Sequence, residues 1–291
     1  MRVWSRLNAV MSENKMSEEE MSEDEAAMPS TASATSSAPT PVELLHTAAD
    51  PTLTEDLALA LLKHADLSPE VLEQLAKNSN ALKTRKVRIA LVSHPHAPRH
   101  VSVPLARQFY TFDLMKVALS PGVPADTKVA VDDVLISRLK TITVGERLTL
   151  ARRASGRVAA ALLLEVENIN RKTDCKIDAK VKAAETVARA TRVMQTALEN
   201  PRLTEALVIN SVLHPAAGAA LVHAVSQHAQ WSRRREIRSA LLRTEHLSLA
   251  RALEFSREIP APQLQELLAS SRLPAKIKDQ LLRERQISKV V

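Results

Sequence analysis

Nine histidines and two runs of basic residues are the side chains of this 291-residue chain whose spacing could support chemistry. His94, His96 and His100 fall within SHPHAPRH, close enough to raise a metal site. Pro95 and Pro98 interrupt that segment, so no i, i+4 pair is presented on a helix face. The expected role is therefore capping of helix-end carbonyls, or contact with solvent. The single cysteine, Cys175, rules out an intramolecular disulfide and a cysteine-held zinc or iron–sulfur centre. The four glycines, Gly122, Gly145, Gly156 and Gly218, are isolated, so the chain has no glycine-rich phosphate loop. Nucleophile-elbow, HExxH and EF-hand patterns are missing too. Asp132-Asp133 and the carboxylates of 18–25 fall where solvated charge is expected. The expectation is a protein that is not an enzyme, with no catalytic residues, no metal site and no cofactor.

The basic runs are the candidate binding residues. Lys83, Arg85, Lys86 and Arg88 precede the apolar stretch 89–92, and Arg233, Arg234, Arg235 and Arg238 precede Ala240-Leu241-Leu242. Helical spacing crowds each set onto one exposed side while Val87 or Ile237 turns inward. If equivalent helices share a surface, the two sets form a basic ridge that could track phosphates by charge alone. Charge along the chain is uneven. Residues 1–45 hold 3 basic and 8 acidic side chains, leaving 37 against 25 over the rest. A basic body with an acidic tail suggests an anionic partner, set against the plain reading in which the cations solvate helices or bond between repeats to neighbouring Asp and Glu. Two partner classes follow: another protein, acidic where it docks, or a nucleic acid. Base-stacking aromatics are missing from both sets except Trp231 beside Ser232, which disfavours single-strand recognition. A lone aromatic there is expected to cover a joint between helices.

These residues need elements to hold them, and composition says which. Aromatics make up 2% of the chain and glycine only 4 residues, which disfavours strands and hairpins. Alanine, leucine, arginine, glutamate and lysine dominate, the residues that lose least on entering a helix. The expected class is all-α. Residues 1–42, acidic and then rich in Ser, Thr, Ala and Pro, read as a disordered tail ahead of a helical domain over 43–291. Met11, Met16 and Met21 offer starts besides Met1. Within the domain, short apolar segments alternate with breaks marked by Pro, Ser or Thr, as at 61–75, 89–105, 117–131, 197–208, 239–253 and 267–281. No stretch approaches the roughly 20 apolar residues of a membrane span. The N-terminus lacks a signal peptide's apolar run. Both readings fit a cytoplasmic protein without a membrane partner.

A longer repeat underlies these breaks. At an offset of 150 residues, 61–131 superposes on 211–281 without a gap and with 12 identities, among them His64 with His214, Arg85 with Arg235, Arg88 with Arg238 and His96 with His246. Breaks at 67, 97 and 123 recur at 217, 247 and 273. Periods of this size indicate stacked supersecondary units, each unable to bury its apolar face alone. The segment 141–196 is expected to hold further, degraded units.

The breaks SHPHAPRHV, ENPRLTEALV and RTEHLSLARAL, each between short helices, resemble those of the leucine-rich-repeat-variant and HEAT-like repeats of bacterial proteins. The likeness covers about 44–285 and is one of architecture. It implies an α-solenoid of short helix pairs acting as a binding surface: a non-enzymatic protein-binding scaffold or adaptor, with a nucleic-acid-binding repeat protein as the alternative. Some proteins of this kind carry an iron–sulfur module, for which this chain lacks the cysteines.

Overall fold

The described residues of the computed structural model are 40–174 and 180–287. The acidic tail expected over 1–42 lies outside them up to residue 39, and so does Cys175. Contacts gather residues 39–291 into one compact unit, which is the unit described below.

Order starts at a helix cap. Thr40 accepts from the Glu43 amide and the Glu43 carboxylate accepts from Thr40 N–H, a capping box that launches α1 (Pro41–Ala49) two residues ahead of the expected boundary. The same box, Thr143 with Glu146, opens α9 (Val144–Arg153). Between them run α2 (Glu55–Leu61), α3 (Pro69–Lys77), the short α4 (Ser79–Lys83), α5 (Arg85–Val92), α6 (Arg99–Ala106), α7 (Thr111–Leu119) and α8 (Ala125–Arg138). Then follow α10 (Gly156–Asp174), α11 (Lys180–Leu198), α12 (Glu205–Leu213), α13 (Ala219–Gln227), α14 (Arg235–Leu241), α15 (Leu249–Arg257), α16 (Ala261–Ala269) and α17 (Ala275–Ile287). The described residues are thus all-α, without a strand. No helix among them is long and apolar enough to cross a membrane.

Packing follows two rows. Helices α6, α8, α10, α12 and α14 touch in succession, and α9, α11 and α13 do so alongside. Earlier in the chain α2, α5 and α7 touch in turn, with α5 also lying against its neighbour α6. Each helix is too short to bury its apolar stripe alone, so the stripes meet between the rows. One continuous core runs from Val92 to Leu281, and a second cluster, from Ala48 to Leu91, packs ahead of it. The 141–196 region departs from the short-helix pattern. It holds α9 and then two 19-residue helices, α10 and α11, packed against each other.

The first residues of six helices recur at an offset of 150: Glu55 and Glu205, Pro69 and Ala219, Arg85 and Arg235, Arg99 and Leu249, Thr111 and Ala261, Ala125 and Ala275. Val87 and Ile237, Leu91 and Leu241, and Val123 and Leu273 are buried at corresponding places. Helix α4 is the exception, since its counterpart segment 229–233 is turn.

The breaks are tied to one another by hydrogen bonds. Asn78 Nδ2 donates to the Ala48 and Asp50 carbonyls at 3.2 and 2.7 Å. His94 Nε2 lies 2.9 Å from the His64 carbonyl, and Arg138 Nη1 donates to Phe109 O at 2.5 Å. Trp231 Nε1 donates to Leu198 O at 2.8 Å, and Arg272 N–H to Arg243 O at 3.0 Å. Each bond spans 28 to 33 residues and satisfies a carbonyl left over at a helix end or turn.

Candidate binding surface

Asp113 decides what Arg85 can do. Its carboxylate, 1% exposed near the start of α7, receives both Arg85 Nε and Nη2, at 2.8 and 2.7 Å. This bidentate fork joins the first turns of α5 and α7, and its hydrogen bonds raise the Arg85 pKa further. The guanidinium also covers the Tyr110 ring, 5.1 Å from its centroid. Lys86 pairs with Glu55 on α2 at 3.2 Å, and Lys83 donates to Asn80 at 2.8 Å. Arg88 Nη1 reaches Gln108 at 3.5 Å, while its buried Nε has no acceptor.

The second cluster repeats this scheme. Arg235 Nη2 donates to Gln263 at 2.7 Å, the residue 150 positions beyond Asp113. Arg238 pairs with Glu258, as Arg88 does with Gln108 at the matching positions. Arg238 also donates from Nε to Ser232 O at 2.5 Å and lies over the Phe255 ring. Arg234 bridges back to Glu205 at the head of α12, 2.8 Å away, and covers the Trp231 ring. Arg233 is exposed beside them. Trp231 itself is 3% exposed and closes the joint between α11 and α14.

Each cluster is thus assembled within itself, but the two are not brought together. Helix α14 lies in the row of α6, whereas α5 packs against α6 from the other row. Between them α10 and α11 follow without an intervening pair of short helices, and the equivalent helices end on alternate rows. Four of these eight cations, Arg85, Lys86, Arg234 and Arg235, bridge their segment to a residue on another helix.

The three histidines of SHPHAPRH also diverge. His94 Nδ1 accepts from the His96 amide at 3.2 Å, so the neutral ring carries its proton on Nε2 and donates to the His64 carbonyl. His96 Nδ1 sits 3.1 Å from the Leu67 carbonyl, and His100 pairs with Glu73 at 3.2 Å. Among the described residues no three or more His, Cys, Asp or Glu side chains are grouped to hold a metal ion. Asp132 is a buried carboxyl whose pKa is raised by burial, offset by the Ser155 hydroxyl donating to Oδ2 at 2.8 Å. With Arg157 on Asp133 at 2.9 Å, it joins α8 to α10, so Asp132 is not the solvated charge that the sequence suggests.

A concave surface lies elsewhere, between α11 and α13. The groove holds about 820 Å3. Met194, Leu198, Ala220 and Ala224 form its floor, with Thr191, Gln195, Glu199, His223 and Gln227 along its sides. At the matching positions of α3, Glu70, Glu73, Gln74 and Lys77 stand where α13 has Ala220, His223, Ala224 and Gln227. The groove escaped the sequence reading, although its signal was present: an alanine-rich stretch, 216–224, where the first half carries charge. That the arginines bond between repeats to Asp or Glu was within the sequence reading, but the particular partners were not, because each lies 20 to 31 residues from its cation.

Comparison with family models, with curated proteins and with solved structures finds no match for the chain. The class that the structure itself defines is that of all-α proteins built from short helices.

Proposed function

We propose that this protein is an α-solenoid scaffold of the HEAT-like or leucine-rich-repeat-variant kind, acting in the cytoplasm by binding another protein and performing no chemistry of its own. The stacked reading draws support from the two rows and from the recurring bonds between breaks. The recurrence of six helix starts supports an internal duplication of 61–131 in 211–281. One observation carries the binding reading: the α11–α13 groove, where Ala220 and Ala224 stand in place of Glu70 and Gln74 of the matching helix. An apolar floor between polar rims suits an amphipathic helix of the partner, laid in by its apolar face. The arginine clusters serve mainly to hold successive helices, since phosphates would have to compete with Asp113, Glu205 and Glu258 for them.

The test compares proteins captured by the parent chain and by an Ala220→Glu, Ala224→Glu variant of matched circular dichroism. The expected result is a reproducible partner that the variant loses. Equal capture by both would remove the groove from the reading, and no reproducible partner for the parent would remove the scaffold itself. Steeply salt-dependent binding to duplex DNA, lost on changing Arg85, Arg88, Arg235 and Arg238 to Gln, would put the nucleic-acid alternative first.

A further inference from the structure

The two halves treat one structural joint in opposite ways. In the first half the turn after α5 is Ser93-His94-Pro95-His96, and the His94 ring is buried in the joint, bonded to the turn before it. The facing turn brings in Gly122, whose missing Cβ would come 3.6 Å from the Pro95 ring and 3.8 Å from the Ser93 carbonyl. That joint is plugged, and without cationic side chains at Ser93 or Gly122. In the second half the corresponding turn is Arg243-Thr244-Glu245-His246, and Arg272 stands where Gly122 was. The turns still meet through Arg272 N–H on Arg243 O at 3.0 Å. Thr244 is smaller than an imidazole, and its hydroxyl turns back to the Leu241 carbonyl at 2.7 Å. Where the first half has a ring, the second has a cavity of about 240 Å3.

The lining of that cavity is cationic in balance. Arg243, Arg272, His214, His246 and Glu245 all contribute to it. Among the described residues neither Arg243 nor Arg272 has a side-chain hydrogen bond or ion pair within the chain, unlike most arginines of the two clusters. His214 Nδ1 accepts from the Ala216 amide at 3.0 Å, so its neutral ring keeps an N–H on Nε2 for donation. The one acidic group in the lining, Glu245, is engaged with His246 at 3.1 Å. Two guanidinium forks and the His214 N–H around a cavity match an oxyanion with several acceptor oxygens.

We infer that the joint between the turns at 214–217, 243–247 and 270–272 is a binding site for a phosphate group, either as the free dianion or as a small monoester. This goes beyond the groove and is independent of it, because no residue lines both, although Val222 of α13 also borders the cavity.

The full chain in phosphate-free buffer is titrated by calorimetry with inorganic phosphate and, separately, with O-phosphoserine, ionic strength being held with chloride. Saturable binding at one site per chain is expected. The Arg243→Gln, Arg272→Gln variant should weaken it by about tenfold or more, through loss of the charge-assisted hydrogen bonds. Thr244→His, which restores the first half's plug and keeps both arginines, should abolish it. Equal affinity for the two probes assigns the free dianion, and tighter O-phosphoserine assigns the ester; both support the site. No saturable heat from either probe overturns it, as does a double-arginine variant within about twofold of the parent. A folded Thr244→His chain that binds like the parent overturns the cavity as its seat.

Discussion

Asn78 and His228 occupy matching positions and solve the same problem with different chemistry. Asn78 Oδ1 accepts from the amides of Asn80 and Ala81, while its Nδ2 donates to the Ala48 carbonyl. His228 Nδ1 accepts from the amides of Gln230 and Trp231, but the ring has no second reach. The carbonyl matching Ala48 is Leu198 O, and there the indole of Trp231, standing where the first half has Ala81, donates instead. The exchange makes the second half sensitive to acid. Burial lowers the His228 pKa from its ordinary 6.5, with Glu199 opposing that shift, and protonation of Nδ1 would remove the acceptor that both amides use. A depressed folded pKa gives stability that is present above the unfolded value and lost as pH falls through the folded one. Thermal melts of the parent should therefore weaken as the pH falls below the ordinary 6.5, and His228→Asn should remove part of that loss. Parallel pH profiles for parent and variant would show that the histidine is not responsible.

At the scale of the elements, glycine substitutions separate a helix start that is crowded from one that is open. Gly156 opens α10 against the turn before α12. A Cβ there would run into the Arg202 carbonyl and lie 3.0 Å from Leu207 Cδ1. Backbone cannot step aside as a flexible side chain can, so Gly156→Ala should cost about 1–3 kcal/mol. Gly145, in the first turn of α9, has nothing within 4 Å of its would-be Cβ. There the same change should stabilise by about 0.5–1 kcal/mol through helix propensity alone. Urea denaturation of the two variants checks the pair, and shifts of equal sign would refute the crowding argument. Helix starts of this kind were legible in the sequence. Ser68-Pro69 announces α3 through a fixed φ after an extended residue, and Pro124 stands as the N-cap ahead of α8. The long α10–α11 pair was not. Its residues carry the same composition as the short helices, and nothing local marks where a longer packing partner permits a longer helix. Nor was the parting of the arginine clusters legible, since it depends on the number of helices between them and not on the residues of either.

For the whole molecule, two facts set the expected response to damage. Contacts run from each helix to near neighbours in its own row and in the facing row, and the bonds between breaks reach back about one helix pair. Stability in such an arrangement is close to a sum of local units and their interfaces. Trp231→Ala would empty a buried site and orphan the Leu198 carbonyl, a loss of about 3–5 kcal/mol concentrated around α11 to α14. Hydrogen exchange measured helix by helix separates local from global consequences. If the units are coupled only to neighbours, amides of α11, α13 and α14 lose protection in the variant while those of α1 to α5 keep theirs. The second core cluster, from Ala48 to Leu91, would then outlast the region around Trp231 in denaturant. A uniform fall in protection across all helices would instead mean that the 39–291 unit opens as a single cooperative body. In that case the rows would describe how the helices touch, but not how their stability is shared.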